Sequence, residues 1–371
     1  MLGLFNSLTF QSLAKKIIVA CGGTGGHSFP GIAVANELAS RGHYVVVWSS
    51  GRSIENSVMK SWDGPNFSTG ARQLSAKNAI ANLFSIIRCR REMRRERPDA
   101  LLAMGSYSSL PPVLAAAACH VPVILHEANT IPGRAVEFLS RFAKTIATSF
   151  DSTEEFLQGR HVLKTGLPVR SEIAGQTRFD DFPKDDFTVF VTGGSQGAHR
   201  VNEIVSAALA LVEADLARRG SSRRLHVIHQ TGAADEEAIA SFYAAKGISA
   251  RVNAFEREMG RAFATADVVI ARAGASTCFE LALVAKPAFF IPLPSALRNH
   301  QHFNAEAFVK AGAAFEGQQD SLTPRAVANW ILHKMDNPSA LEALAAGMRS
   351  MAVPDAAARV ADIVEKAAAR D

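Results

Sequence analysis

Residues 21–31 read CGGTGGHSFPG. Gly22, Gly23, Gly25 and Gly26 free the backbone to take positive φ and to come close to a ligand. Thr24 and His27 are the reactive side chains left among them. An imidazole exchanges a proton near neutral pH. A second cluster runs Gly193-Gly194-Ser195-Gln196-Gly197-Ala198, and a third runs Gly274-Ala275-Ser276-Thr277, with Glu280 just beyond. Where such a turn opens a helix, unpaired N–H groups and the positive end of the helix dipole suit an anionic or polar partner. The dinucleotide fingerprint G-x-G-x-x-G fails, because its third glycine, counted from Gly23, falls at Ser28. The phosphate loop G-x-x-x-x-G-K-[ST] fails for want of a lysine. Glycines needed only for packing are the competing explanation.

The flanking segments supply the frame. Lys16-Ile17-Ile18-Val19-Ala20 suits a short buried strand, and Ile32, Val34, Ala35 and Leu38 recur at helical spacing over 32–41. Strand-like runs at 44–50, 100–104, 121–127 and 145–150 alternate with helical ones, including 111–119 and 134–142. Such alternation implies a parallel sheet covered by helices, with ligands at the carboxyl ends of its strands. Periodicity weakens over 151–186, which holds several glycines, Pro168 and an acidic run, and a domain boundary is placed there. The alternation then restarts, with strands at 187–194, 225–232, 250–255, 266–274 and 287–294 and helices at 198–218, 236–245, 277–284, 301–311 and 323–335. An alanine-rich helix follows at 356–370, apolar along Val360, Ile363 and Val364. The expected architecture is α/β: two doubly wound, Rossmann-like parallel-sheet domains facing a cleft, residues 15–168 and 186–355, with 356–371 packing back on the first.

A chain of 371 residues, 48% hydrophobic and 20% charged, is long enough for two cores. Its net charge of +5 and pI near 9.1 fit an anionic substrate or membrane surface and do not by themselves indicate nucleic acid. Cys21, Cys89, Cys119 and Cys278 are scattered without metal or redox spacing, which points to a reduced, cytoplasmic setting. Residues 1–14 lack a basic start and an unbroken apolar run, so no signal peptide is expected there. No stretch nears the ~20 apolar residues of a membrane span. The segment from Asn78 to Arg97 differs from the rest: Ile80, Leu83, Phe84, Ile86 and Ile87 precede Arg88, Arg90, Arg91, Arg94, Arg95 and Arg97. That pattern suits an anionic membrane surface, and equally an amphipathic helix with a solvated basic face.

Seven motifs occur in order over nearly the whole chain: GGTGGHxxPG from Gly22, MGxY from Met104, HExN from His126, PVR from Pro168, GGSQGA from Gly193, RxGAxTxxE from Arg272 and HQxxNA from His300. By these the sequence resembles the MurG family of N-acetylglucosaminyl transferases. The resemblance implies a GT-B fold and an inverting transfer of N-acetylglucosamine from UDP-N-acetylglucosamine (UDP-GlcNAc). The acceptor it implies is the muramyl 4-hydroxyl of lipid I, undecaprenyl-pyrophosphoryl-MurNAc-pentapeptide, and the product is lipid II. It also implies a peripheral place on the cytoplasmic face of the cell membrane, with other cell-wall synthesis proteins as possible partners.

The resemblance carries roles onto residues. Ser195 and neighbouring amides, with Arg170, hold the donor's diphosphate, and Glu280 holds the ribose. The backbone at Glu256 meets the uracil edge, and Ala275, Ser276, Thr277, Cys278 and Phe279 form the turn and helix start against the nucleotide. His300, Gln301 and, from across the cleft, Asn129 reach the sugar. Thr24, Gly25 and Gly26 also line the substrate cleft, Tyr107 lies on the acceptor side, and His27 is the base or an orienter of the acceptor. No Asp-x-Asp pair occurs, so no metal on the protein and no tightly bound cofactor is expected, while a divalent ion on the acceptor's pyrophosphate stays open. The chain departs from the family pattern at Ser106, Leu110, Val136, Leu167 and Glu256, which puts acceptor details in doubt. A UDP-sugar epimerase, a transferase to another lipid and a non-catalytic UDP-sugar binder remain alternatives, and the failed fingerprint disfavours a nicotinamide enzyme.

Overall fold

The computed structural model describes residues 14–23, 25–52 and 56–369. The readings made on Thr24 and on residues 1–13 lie outside the described residues. The first half builds β1 (Lys16–Ala20), α1 (Gly25–Ser40), β2 (Tyr44–Ser49), α2 (Asn56–Met59), β3 (Asn66–Ser68), α3 (Ala79–Glu96), β4 (Ala100–Ala103), α4 (Leu110–Ala118), β5 (Val123–Glu127), α5 (Arg134–Leu139), β6 (Thr145–Thr148) and β7 (Val162–Lys164). The second half builds β8 (Phe187–Thr192), α6 (His199–Arg219), β9 (Leu225–Gln230), α7 (Glu236–Ala245), β10 (Ser249–Asn253), α8 (Met259–Thr265), β11 (Val268–Ala271), α9 (Ala275–Leu283), β12 (Ala288–Phe290), α10 (His300–Lys310), β13 (Ala314–Glu316), α11 (Pro324–Asp336), α12 (Pro338–Met351) and α13 (Ala356–Ala368).

Each half forms one parallel sheet, in the orders β3-β2-β1-β4-β5-β6-β7 and β10-β9-β8-β11-β12-β13. Ile17, Ile18 and Val19 of β1 are fully buried, as continuous apolar strands must be when helices cover both faces of a sheet. In each sheet the winding reverses beside the first strand, between β1 and β4 and between β8 and β11. A doubly wound sheet opens its ligand crevice at that reversal, and all three glycine turns follow β1, β8 or β11.

Two boundaries differ from the expectation. Helix α1 starts at Gly25, ahead of Ile32, and contains Pro30; glycine and proline, usually turn signals, here form its first turns. Gly31 brings α1 close to the end of β1, since an added Cβ there would lie 2.3 Å from that of Cys21. The stretch 168–186 is no open tether, because Ile173, Phe179 and Phe182 are buried against the second sheet's helices and the Arg251 and Arg261 guanidinium groups stack 4.1 and 4.5 Å from the Phe179 ring.

Helix α13 returns to the first sheet. Val360, Ala361 and Val364 join its core with Val19, Ala35 and Leu38, and Arg41 of the following turn pairs with Asp362 (2.6 Å) and Glu365 (2.9 Å). The two halves also share an aromatic contact, Phe150 lying 5.1 Å from Phe279 and 6.3 Å from Phe308 between ring centroids.

Candidate active site

The turn after β8 is shaped by backbone crowding. Gly197 takes φ 74°, and a Cβ there would fall 1.9 Å from the Thr231 carbonyl, so only glycine fits. Gln230, almost wholly buried, fixes the turn by donating to the Gly194 carbonyl (2.6 Å) while its Oε1 accepts from the Glu256 amide (3.0 Å). Ser195 is exposed at the tip. The Glu256 carboxylate points inward, accepting from Asn253 Nδ2 (2.9 Å) and the Glu258 amide (2.8 Å). Both its amide and its side chain are therefore spent inside the protein.

The turn after β11 behaves differently. Gly274 caps α9 with φ −65° and ψ 140°, which any residue adopts, and nothing lies within 4 Å of an added Cβ. In the first turn of α9, Ser276 Oγ is buried and has no hydrogen-bond partner among the described residues. Ala275 is buried and Thr277 half-buried, whereas the Cys278 and Phe279 side chains belong to the core. Burial pushes the Cys278 thiol upward in pKa. One turn on, Glu280 Oε1 accepts from both Nε (3.1 Å) and Nη2 (2.9 Å) of Arg170, whose guanidinium also stacks 4.5 Å from the Phe29 ring. The residues assigned to ribose and diphosphate thus form one ion pair. Burial raises the Glu280 carboxyl pKa, and Arg170 opposes that rise.

On the first domain, His27 Nδ1 lies 2.9 Å from the Met104 carbonyl. A carbonyl only accepts, so Nδ1 carries the proton and Nε2 keeps its lone pair. Burial lowers the His27 pKa; the Met104 hydrogen bond opposes this and the His300 imidazole, from the other domain, adds to it. His300 has the same tautomer, with Nδ1 donating to the Leu297 carbonyl (2.9 Å). Gln301 Oε1 accepts from the Leu293 amide (2.9 Å). Tyr107 accepts at its hydroxyl from Arg52 (3.1 Å) and lies beside Gly23. Ser106, where the family pattern has glycine, sits at φ 69° and ψ 165°, a region that is essentially glycine's alone and costs about 1–3 kcal/mol. Gly25 and Gly26 open α1 nearby, Gly26 exposed.

The model for the glycosyltransferase family 28 N-terminal domain matches residues 17–148, and that for its C-terminal domain matches residues 188–360. A UDP-N-acetylglucosamine--N-acetylmuramyl-(pentapeptide) pyrophosphoryl-undecaprenol N-acetylglucosamine transferase of Geobacter metallireducens is 35% identical over 359 residues, which cover 94% of this chain and 97% of that one. The enzyme of the same name from Rhodospirillum rubrum is 36% identical over 363 residues, covering 95% and 92%. The chain belongs to the MurG family of family 28 glycosyltransferases. The crystal structure of Acinetobacter baumannii MurG aligns with a TM-score of 0.76 at 30% identity over 95% of this chain and 99% of that one. A UDP-GlcNAc 2-epimerase from Neisseria meningitidis, bound to UDP-GlcNAc, reaches a TM-score of 0.70 at 12% identity over 95% and 100% of the chains; that likeness is one of fold alone.

In this MurG-family chain the sequence reading gave no role to three side chains that order the loops around these turns. Glu127 is buried and organises the loop after β5, its Oε1 accepting from the Asn129 amide (2.9 Å) and Nδ2 (3.2 Å) and its Oε2 from the Gly133 amide (2.9 Å). Burial raises its pKa against those hydrogen bonds. Asn304 bridges the domains by donating to Asn129 Oδ1 (3.1 Å). Gln230 joins the β8 turn to the Glu256 segment. Glu127 and Asn304 stand inside HExN and HQxxNA and were legible as motif members, but their roles depend on partners distant in sequence. Gln230 carried no signal beyond ending a strand. Among the described residues no group of three or more His, Cys, Asp or Glu side chains is placed to hold a metal ion.

Proposed function

We propose that this chain transfers N-acetylglucosamine from UDP-GlcNAc to the muramyl 4-hydroxyl of lipid I, with inversion, giving lipid II; its curated relatives carry the name of that transfer. Gly274 supports the donor site: its backbone angles and neighbours make no demand for glycine, and the open space over it leaves room for close approach of a ligand. The β8 turn and the start of α9 direct amides and helix dipoles at the diphosphate, and Ser276 Oγ supplies a donor. Arg170 keeps Nη1 for a phosphate oxygen and Glu280 keeps Oε2 for a ribose hydroxyl, so the ion pair need not break. The uracil edge is assigned to the Glu256 segment through its carbonyls, since the amide is taken. Asn129, His300 and Gln301 are assigned to the sugar, and Tyr107 with the 25–26 turn to the acceptor. Residues 15–168 form the acceptor and membrane unit and 186–355 the donor unit, with 356–371 closing on the first.

In the transfer, the acceptor oxygen bonds to the anomeric carbon, the bond to UDP breaks, and the hydroxyl proton passes to His27 Nε2. Turn amides, helix dipoles and Arg170 meet the charge on departing UDP, so the reading needs no metal on the protein. The exposed apolar side chains of α3, Ile80, Leu83, Phe84 and Ile87, ahead of its arginines, support a peripheral place on the cytoplasmic face of the membrane.

The test is transfer of labelled sugar from UDP-GlcNAc to a lipid I analogue. His27→Ala is expected to lower kcat by about 10²–10⁴-fold. Only neutral imidazole accepts a proton, and the His27 pKa lies below 6.5. The parent's kcat/KM therefore holds steady above that pH and falls only as acidity passes the lowered value. Full turnover with an unchanged pH profile in the variant would remove His27 as base.

A further inference from the structure

The short turn before α10 takes a conformation its residues do not favour. Arg298 (φ 55°) and Asn299 (φ 54°) are both left-handed, a region bulky side chains seldom enter and asparagine tolerates. What holds Arg298 there comes from the other domain: Nη1 donates to the Pro132 carbonyl (3.1 Å) and to Glu137 Oε2 (2.7 Å). His300 and Gln301 follow at once. Beyond them stands Asn304, fully buried. Its Oδ1 accepts from the Thr130 amide (2.9 Å) and hydroxyl (3.1 Å). Its Nδ2 donates to Asn129 Oδ1 and to the Ala273 carbonyl, both at 3.1 Å. Residues 298–304 are thus pinned at both ends to residues 129–137 of the first domain, the loop after β5 and the start of α5.

We infer that Arg298 is a positioning residue for recognition of the donor's sugar. Its hold on Pro132 and Glu137 fixes His300 and Gln301 against Asn129, so the sugar ligands of the two domains form one preassembled unit. The nucleotide turns after β8 and β11 lie within the second domain, and the Arg298 side chain bonds Pro132 and Glu137 rather than either turn. Recognition of UDP and recognition of its sugar are therefore separable. This inference rests on the donor site proposed above.

Calorimetric titration of the full chain with UDP and with UDP-GlcNAc, together with donor KM in the transfer assay, tests it. In Arg298→Ala the UDP affinity stays within about twofold, while UDP-GlcNAc affinity falls and donor KM rises by about 3- to 10-fold, the net range of one ordinary hydrogen bond. Arg298→Lys keeps one donor and recovers part of the loss, and Glu137→Gln, which leaves Arg298 in place, shifts the same quantities in the same direction by less. The side chain is 32% exposed, so both sites tolerate replacement without a core defect. Equal weakening of UDP and UDP-GlcNAc, or no weakening of either, overturns the inference. A parent that binds neither ligand overturns the donor-site reading and this inference with it.

Discussion

Gly274 and Gly197 separate two uses of glycine that look identical in the sequence. At Gly197 a Cβ would collide with the Thr231 carbonyl, and glycine serves the fold. At Gly274 a Cβ would meet open space at an unstrained φ, and the fold makes no demand for glycine there. Gly274→Ala is therefore expected to leave the thermal midpoint within about 1 °C, since alanine relieves a little backbone entropy, while raising donor KM by about tenfold. Thermal melts beside donor kinetics check this, and an unchanged KM would return Gly274 to the fold. The seven motifs located Arg170, Glu280, Ser276 and His27 in the sequence. They did not reveal that Arg170 and Glu280 share one hydrogen-bonded oxygen or that the Glu256 amide is taken by Gln230, because both depend on partners distant in sequence, and the Glu256 carboxylate is taken by close neighbours whose side-chain geometry no motif encodes.

The first half of helix α3 inverts the usual relation of polarity to burial. Its inward face carries Asn82, Ser85, Cys89 and Met93. Asn82 grips the backbone of Arg72 in both directions, accepting from its amide at 2.9 Å and donating to its carbonyl at 3.2 Å, and the Ser85 hydroxyl donates to the Thr69 carbonyl at 2.8 Å. Those local bonds turn Ile80, Leu83, Phe84 and Ile87 outward, from 56% to 71% exposed. Composition showed an apolar and basic helix, but only the hydrogen bonds show which side faces out. Replacing Leu83 and Phe84 together by glutamate is expected to abolish co-sedimentation with anionic vesicles while keeping transfer to a soluble acceptor analogue within about twofold. Retained vesicle binding would refute the docking role. At the same scale, β3, β7 and β13 escaped the sequence because each is a three-residue sheet edge, too short to show a period. Helix α12 escaped because it buries only Ala345 and Met348. The central strands were legible because they are buried on both faces and read as unbroken apolar runs.

The whole molecule keeps neutral imidazoles deep in both halves. Burial lowers the pKa of His126 to about 4 and of His229 to about 3, against an ordinary value near 6.5. The unfolded chain binds these protons first as pH falls, so the stability they carry is complete above about pH 6.5 and drains away as the pH drops towards those lower values. His126 donates through Nε2 to the Gly166 carbonyl (3.2 Å), and His126→Gln keeps a donor there without a titrating group. Its thermal midpoint is expected to drop less between pH 7 and pH 5 than the parent's, and equal drops would exclude His126 as a source. Two tandem α/β halves were legible from the repeated strand-helix alternation. The buried linker aromatics and the Asn304 bridge were not, since pairing between distant segments leaves no local period. Helix α13 has a consequence for biogenesis. A growing polypeptide usually completes its domains in the order of translation. Here Val19, Ala35 and Leu38 await Val360 and Val364, so the nascent amino-terminal half leaves the ribosome with an oily groove uncovered, and the half made later is the one able to mature first.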